Sequence, residues 1–285
     1  MNLLEHLWIL FVVIYSLLKG SRDGLKKAAL KKSSSTEILF FYTLIGTILV
    51  LPFSFDAFSL EPIYIFYAFL KAGIVCTAWL FSFAALKNMS VSLYGIMDLL
   101  RMVFSTLLGV FILGESFTYQ KCIGVTLVIL GLMLVNLKKN TENKSMTFSV
   151  LFFAISNCFF NAVSGTMDKV LMKYMTPCEL QFWFMFFMTV IYGVIILIKK
   201  EKISIKNIKT NYFIPIMSIS LLVGDRLLFE ANKSTLSEVT LMTVIKQSSV
   251  FVTVFTGYFF FKEKHILYKL LCCLIVLLGI FIALL

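Results

Sequence analysis

The chain has 285 residues, of which 60% are apolar and only 14% charged, with a mean hydropathy of +0.94 and a formal net charge of +11. Soluble domains carry roughly 25% charged residues, so this composition excludes an ordinary soluble fold and indicates a polytopic membrane protein. The basic excess is scattered between apolar runs, so it reads as charge at a membrane surface and not as a nucleic-acid stripe.

A hydrocarbon core of about 30 Å takes roughly 20 apolar residues per helix, and the polar punctuation divides the sequence into ten segments. The first five are predicted over 3–31, 37–54, 63–86, 91–113 and 119–137. The N-terminus MNLLEHLW lacks a basic n-region and no small-residue cleavage site precedes Lys19, so segment 1 is expected to stay as a transmembrane helix. Its apolar run gives way to KGSRDGLKKAALKK, which either leaves the bilayer or lines a wet cavity. Segment 3 carries Trp79. Segment 4 carries Asp98 and Arg101 at i and i+3, on one helical face where they can pair, with Tyr94 one turn earlier. Ionisable groups inside a bilayer are expensive unless they meet a partner or water. Asp98 and Arg101 are therefore candidates to line a cavity, and a self-neutralising pair that holds helices together is the alternative.

The second five segments are predicted over 147–173, 178–198, 211–231, 236–261 and 266–285. Segment 6 holds Asn157 and Asn161 at i and i+4, whose carboxamides both donate and accept and can orient a polar substrate or bond two helices. Just beyond them SGTMDKVLMK repeats the ambiguity of segment 1. Segment 8 reads VGDRLLFE, where Asp225 and Arg226 point about 100° apart, so one faces the cavity and the other a helix, with Glu230 about a turn beyond. Segment 9 carries Lys246 and Gln247. His6 and His265 are too few and too far apart for a metal site, and the six cysteines lack CxxC spacing and read as small hydrophobes. With no phosphate-cradling glycine loop and no catalytic constellation, neither a cofactor, an ATP-driven pump nor an enzyme is expected.

Residues 127–134 read LVILGLML and residues 275–282 read IVLLGIFI, 148 residues later. The same spacing separates Gly109 from Gly257, Glu115 from Glu263 and Lys121 from Lys269. Nearer the start of each half, Lys27, Lys31 and Glu37 precede Lys169, Lys173 and Glu179 by 142 residues. The chain is thus a duplication: one repeat over 1–137, a linker over 138–146 and a second repeat over 147–285. Five helices per copy is an odd number, so the second copy crosses the membrane in the opposite sense. The expected fold is an all-α integral membrane protein of ten transmembrane helices in two inverted five-helix repeats, the recurrent architecture of secondary transporters. The 148-residue register sets Asp98 against Lys246, which places Asp98, Arg101, Lys246 and Gln247 at the floor of one central cavity. Aligning Ala85 with Ala231 brings Trp79 opposite Asp225, an aromatic and acidic pairing suited to an ammonium group; ordinary packing is the alternative for Trp79.

Residues 84–134 (AALKNMSVSLYGIMDLLRMVFSTLLGVFILGESFTYQKCIGVTLVILGLML) carry an Ala-Leu-Lys turn, a long apolar helix ending in Gly-Glu, and a last helix with a glycine near each end. This resembles the second part of an EamA-type repeat of the drug/metabolite transporter superfamily. Residues 229–285 match it again, with Lys262 in place of the glycine before Glu263, and Arg101 stands near where the repeat often has proline. The resemblance implies a ten-helix carrier with both termini cytoplasmic, and leaves the substrate open among amino acids, sugars, nucleotide sugars and amines.

Lysine and arginine accumulate on the cytoplasmic side, and the odd-numbered loops hold far more of them than the even ones, which puts the termini outside; orientation therefore stays open between this and the resemblance. The expected function is secondary transport of a small polar metabolite by alternating access. Three cations, Arg101, Arg226 and Lys246, against Asp98, Asp225 and Glu230 would suit a zwitterion such as an amino acid. A flippase for a lipid-linked substrate is the runner-up, and a non-transporting scaffold the third reading. A proton is one candidate coupling ion, with exchange and facilitated diffusion as the others. The expected setting is the bacterial plasma membrane, as a monomer or homodimer, with the bilayer and a small-molecule substrate as partners and no nucleic acid.

Overall fold

In the computed structural model the chain is helical throughout the described residues, which are 7–113, 118–137, 147–201, 203, 210–233 and 245–284. The linker 138–146 and Glu115 lie outside them. In chain order the helices are α1 (Leu7–Ala29), α2 (Ser35–Val50), α3 (Pro62–Asn88), α4 (Val91–Asp98), α5 (Arg101–Leu113), α6 (Tyr119–Leu137), α7 (Phe148–Leu171), α8 (Pro177–Lys199), α9 (Phe213–Lys233), α10 (Ser249–Phe261) and α11 (Ile266–Leu284). With α4 and α5 taken as one span, the described helices make ten spans in the predicted order.

Helices are forced here because lipid offers no hydrogen bonds and each backbone N–H must find an internal acceptor. Local signals set their ends. Ser34 caps α2 by accepting from the Glu37 amide at 3.2 Å. Thr176 and Glu179 form a full capping box at the start of α8, with Pro177 in its first turn. These two caps are repeat mates, so the recurrence of Glu37 and Glu179 in the sequence marks a shared helix start. Among the described residues, the spans Ser35–Phe53, Pro62–Asn88, Val91–Leu108, Phe148–Asp168 and Pro177–Lys199 are each long and apolar enough to cross a membrane.

Packing obeys the exchange of the two repeats. Helix α1 lies on α9 as α7 lies on α3; α1 lies on α10 as α7 lies on α5; and α2 lies on α9 as α8 lies on α3. Helix α4 packs on α10, and the pairs α2–α8 and α6–α11 each map onto themselves. The last pair is built from the duplicated helix LVILGLML and IVLLGIFI. Without a hydrophobic force between helices in lipid, small residues that admit close backbone approach drive association. Gly131 meets Val276 across this contact, and a Cβ at Gly279 would stand 2.8 Å from the Gly124 carbonyl oxygen and 3.0 Å from the Val128 nitrogen. Gly279→Leu is therefore expected to force α6 and α11 apart at a cost of about 1–3 kcal/mol, read as a lower unfolding midpoint in detergent; an unchanged midpoint would contradict this packing.

One expectation needs correction. Segment 4 is not a continuous helix: it breaks at Leu99 and Leu100 between α4 and α5. Bonds of the i to i−3 type replace the α-helical ladder there, from Leu100 N to Met97 O at 3.0 Å and from Val103 N to Leu100 O at 3.0 Å. Segment 9 breaks at the equivalent place, with Ser248 N donating to Ile245 O at 3.1 Å and Phe251 N to Ser248 O at 3.0 Å. The carbonyl that accepts the i to i−3 bond at each break also accepts a side chain from the other repeat. Ser16 of α1 donates to Ile245 O at 2.8 Å, and Cys158 of α7 donates to Met97 O at 3.3 Å. Ser16 and Cys158 are themselves 142 residues apart, so both breaks and both of their caps follow the repeat.

Candidate functional site

Helix α1 organises the interior. Lys19, Arg22, Asp23 and Lys26 fall at i, i+3, i+4 and i+7, one face of an α-helix. Gly20 and Gly24, a turn apart, let this helix settle directly onto α10, where added Cβ atoms would collide with Ser249, Val252 and Thr256. The uncertainty over segment 1 is thereby resolved: the basic stretch continues as helix through Ala29 and turns its charges inward, with Arg22 and Asp23 buried.

At the end of α4 the carboxylate of Asp98 collects ligands from both repeats. Lys19 Nζ stands 3.0 Å from Oδ2, and Arg101 Nη2 stands 4.0 Å from the same oxygen. Asn157 of α7 donates toward Oδ1 at 3.5 Å and to the Tyr94 hydroxyl at 3.2 Å, and Tyr94 shares a 2.6 Å bond with Ser82. Asn161 donates to the Asn157 Oδ1 at 2.7 Å and fixes that carboxamide. The helix break places Asp98 and Arg101 on two different helix ends, so the pair is opened to Lys19 instead of closing on itself.

A second group lies around Asp225 on α9. Arg22, Lys246, Lys71 and Asp168 are within its electrostatic reach, and Tyr42 and Tyr15 flank Arg22. Lys71 of α3 pairs with Asp168 at 2.7 Å, donates to Ser164 at 3.0 Å and stands 4.8 Å above the Phe184 ring. Asp23 is held by Lys26 at 3.0 Å and by the Thr253 hydroxyl at 3.4 Å. Lys246 approaches the Tyr15 ring at 6.0 Å. Gln247 is buried at the α10 break, and its Oε1 has no hydrogen-bond partner.

The structure thus brings Tyr94, Asp98, Arg101, Asn157 and Asn161 together, with Asp225 and Lys246 in the adjoining group. It does not bring in the rest. Arg226 pairs with Glu230 at 3.3 Å and donates to Cys178 on α8, and its side chain is 44% exposed. The two charges satisfy each other away from Asp98, so the balanced count of three cations and three anions does not describe the interior. Trp79 meets Tyr42 in a tilted contact at 5.2 Å and Phe184 edge-to-face at 6.2 Å, within an apolar cluster that includes residues of α2, α3 and α8. Its ring backs Tyr42 and meets no carboxylate there. Lys19, and not Lys246, supplies the close partner of Asp98.

Sequence reasoning passed over Tyr15, Lys19, Arg22, Asp23, Lys71 and Asp168. Two signals pointed to the four on α1. The 142-residue register carries Asn157 and Asn161 back onto Tyr15 and Lys19, and the i, i+3, i+4, i+7 stripe marks α1 as a polar face.

A separate polar cluster ties the start of α4 to the α10–α11 connection. Glu263, between α10 and α11, accepts from the amides of Val91 at 2.7 Å and Ser92 at 3.2 Å, from the Ser92 hydroxyl, and from Lys269 at 2.9 Å. Val91 and Ser92 are the first residues of α4, where a helix presents bare N–H groups and the positive end of its dipole. Lys27 at the end of α1 donates to the carbonyls of Leu86 and, at 2.9 Å, Met89, the last carbonyls of α3. Lys262 takes a left-handed φ of 53° so that the chain can turn Glu263 inward, which explains why a glycine suits this position. Among the described residues no three His, Cys, Asp or Glu side chains come together as a metal site.

Comparison with known proteins agrees with this architecture. No curated protein matches the sequence. A crystal structure described only as that of a protein is similar in fold, with a TM-score of 0.67 at 11% identity, covering 99% of this chain and 97% of that one. The model of the EamA-like transporter family matches twice, over residues 6–137 and 148–285, which together span nearly the whole sequence. The chain belongs to the EamA-like transporter family.

Proposed function

We propose that the chain is a secondary carrier that binds one small polar metabolite around Asp98 and presents it alternately to the two faces as the repeats exchange conformations. The observation that carries this reading is the placement of Asp98 at a broken helix, held by Lys19 of α1 from its own repeat and Asn157 of α7 from the other. Helices α1 and α7 are repeat mates. Discontinuous helices with charged groups between two inverted repeats are the material of alternating access, whereas a scaffold gains nothing from charges kept inside the bilayer. The Glu263 cluster fits the same reading, because it joins α4 of the first repeat to the α10–α11 connection of the second.

The test is counterflow into proteoliposomes with a panel of labelled amino acids, organic acids, amines and sugars. The wild-type protein should accumulate at least one of them. Arg101→Ala and Lys246→Ala should reduce that accumulation to background while inserting normally. Unchanged uptake by both variants would remove the assignment.

A further inference from the structure

Arg101 and Arg22 are the two guanidiniums of the interior, and Arg22 keeps a buried N–H donor that no described residue satisfies. A guanidinium carries five N–H donors. Among the described residues the one ionic partner of Arg101 is Asp98, at 4.0 Å, and the same Asp98 oxygen is already held at 3.0 Å by Lys19. Arg22 is 6% exposed, and among the described residues its Nη1 has no hydrogen-bond partner. Tyr15, Lys19 and Arg22 follow one another at i, i+4 and i+7 on one face of α1, and Lys19 and Arg101 share one Asp98 oxygen, so the two arginines belong to one locale.

Charge points the same way. Among the described residues the four carboxylates Asp23, Asp98, Asp168 and Asp225 are met by five cations, Lys19, Arg22, Lys26, Lys71 and Arg101. The assembly is short of negative charge even before Lys246 is counted. An unmet buried donor costs about 1–3 kcal/mol, and more when charged; an arriving anion removes that cost. A carboxylate or phosphate meets a guanidinium through two parallel N–H···O bonds. A cation, or the ammonium of a neutral zwitterion, would enter beside charges of its own sign.

Resting on the carrier reading above, we propose that the substrate is a small organic anion whose carboxylate or phosphate is received by Arg101 and Arg22 beside the Tyr15 hydroxyl. Arg226 and Glu230, which made a zwitterion seem balanced, cancel each other elsewhere.

The experiment measures thermal protection and proteoliposome uptake with four labelled sets: dicarboxylates such as succinate, phosphates such as glycerol 3-phosphate, alanine as a neutral zwitterion, and choline as a cation. Anions should protect and be taken up, with the dicarboxylate and phosphate arms telling which oxyanion fits. Arg101→Gln and Arg22→Gln should each weaken that protection at least tenfold. Arg101→Lys, which keeps the charge but loses the two-pronged contact, should fall between and guards against a folding defect in the glutamine variant. Protection and uptake confined to alanine or choline would overturn the anion assignment and leave the carrier reading standing. A folded protein that takes up no solute of any class would overturn both.

Discussion

Glu263→Gln should lower the unfolding midpoint of the purified protein by the equivalent of about 3–5 kcal/mol, the cost of breaking a buried ion pair by removing one partner. The substitution strands Lys269, which is only 1% exposed and has Glu263 at 2.9 Å as its counter-ion. It also halves the acceptor capacity that satisfies the first amides of α4. Pairing it with Lys269→Met removes the stranded charge, so the double variant should recover a large part of the loss. A midpoint unchanged by Glu263→Gln, or a double variant worse than the single, would show that this carboxylate does not hold α4 to the α10–α11 connection.

Asp98→Asn should reduce transport by about thirtyfold or more. Truncating one member of a desolvated, hydrogen-bonded charge assembly costs about 2–5 kcal/mol, and each 1.4 kcal/mol is a factor of ten. The carboxamide keeps the shape and the Asn157 contact but leaves Lys19 and Arg101 facing one another with no anion between them. Asp98→Glu, which restores the charge on a longer arm, should recover part of the rate. Initial uptake rates in proteoliposomes at matched protein density decide the matter. Asp98→Asn at the wild-type rate would mean that the assembly is helix glue.

The sequence made the ten spans and the duplication legible because both are written in long apolar runs and in a fixed register. Caps followed too: Glu37 and Glu179 recur because each completes the start of the second helix of its repeat. Glu263 and Lys269 recur with Glu115 and Lys121 for a reason that spacing alone conceals. In the structure the first two join the α10–α11 connection to the start of α4, while Glu115 lies outside the described residues. The helix breaks were illegible because neither Leu99–Leu100 nor Gln247–Ser248 contains proline or glycine; they are stabilised from outside, by Cys158 and Ser16 reaching the carbonyls of Met97 and Ile245. The charges of α1 were visible but ambiguous, since a basic stretch after an apolar run looks the same leaving a bilayer as lining its interior. What settles it is Asp98, 79 residues away from Lys19 in sequence and 3.0 Å from it in space. Arg226 misled in the opposite way, because its pairing with Glu230 one turn along satisfies it locally.

The claim that the Asp98 assembly is reached in turn from both sides is tested most directly by thiol accessibility. In a background with the six native cysteines replaced by serine or alanine, Asn161→Cys puts a single thiol beside Asn157 in the partly exposed interior. A membrane-impermeant maleimide is then applied separately to right-side-out and inside-out vesicles. Labelling from both faces, slowed on both by a transported solute, is the predicted result. Labelling from one face only, or from neither, would contradict alternating access at this site.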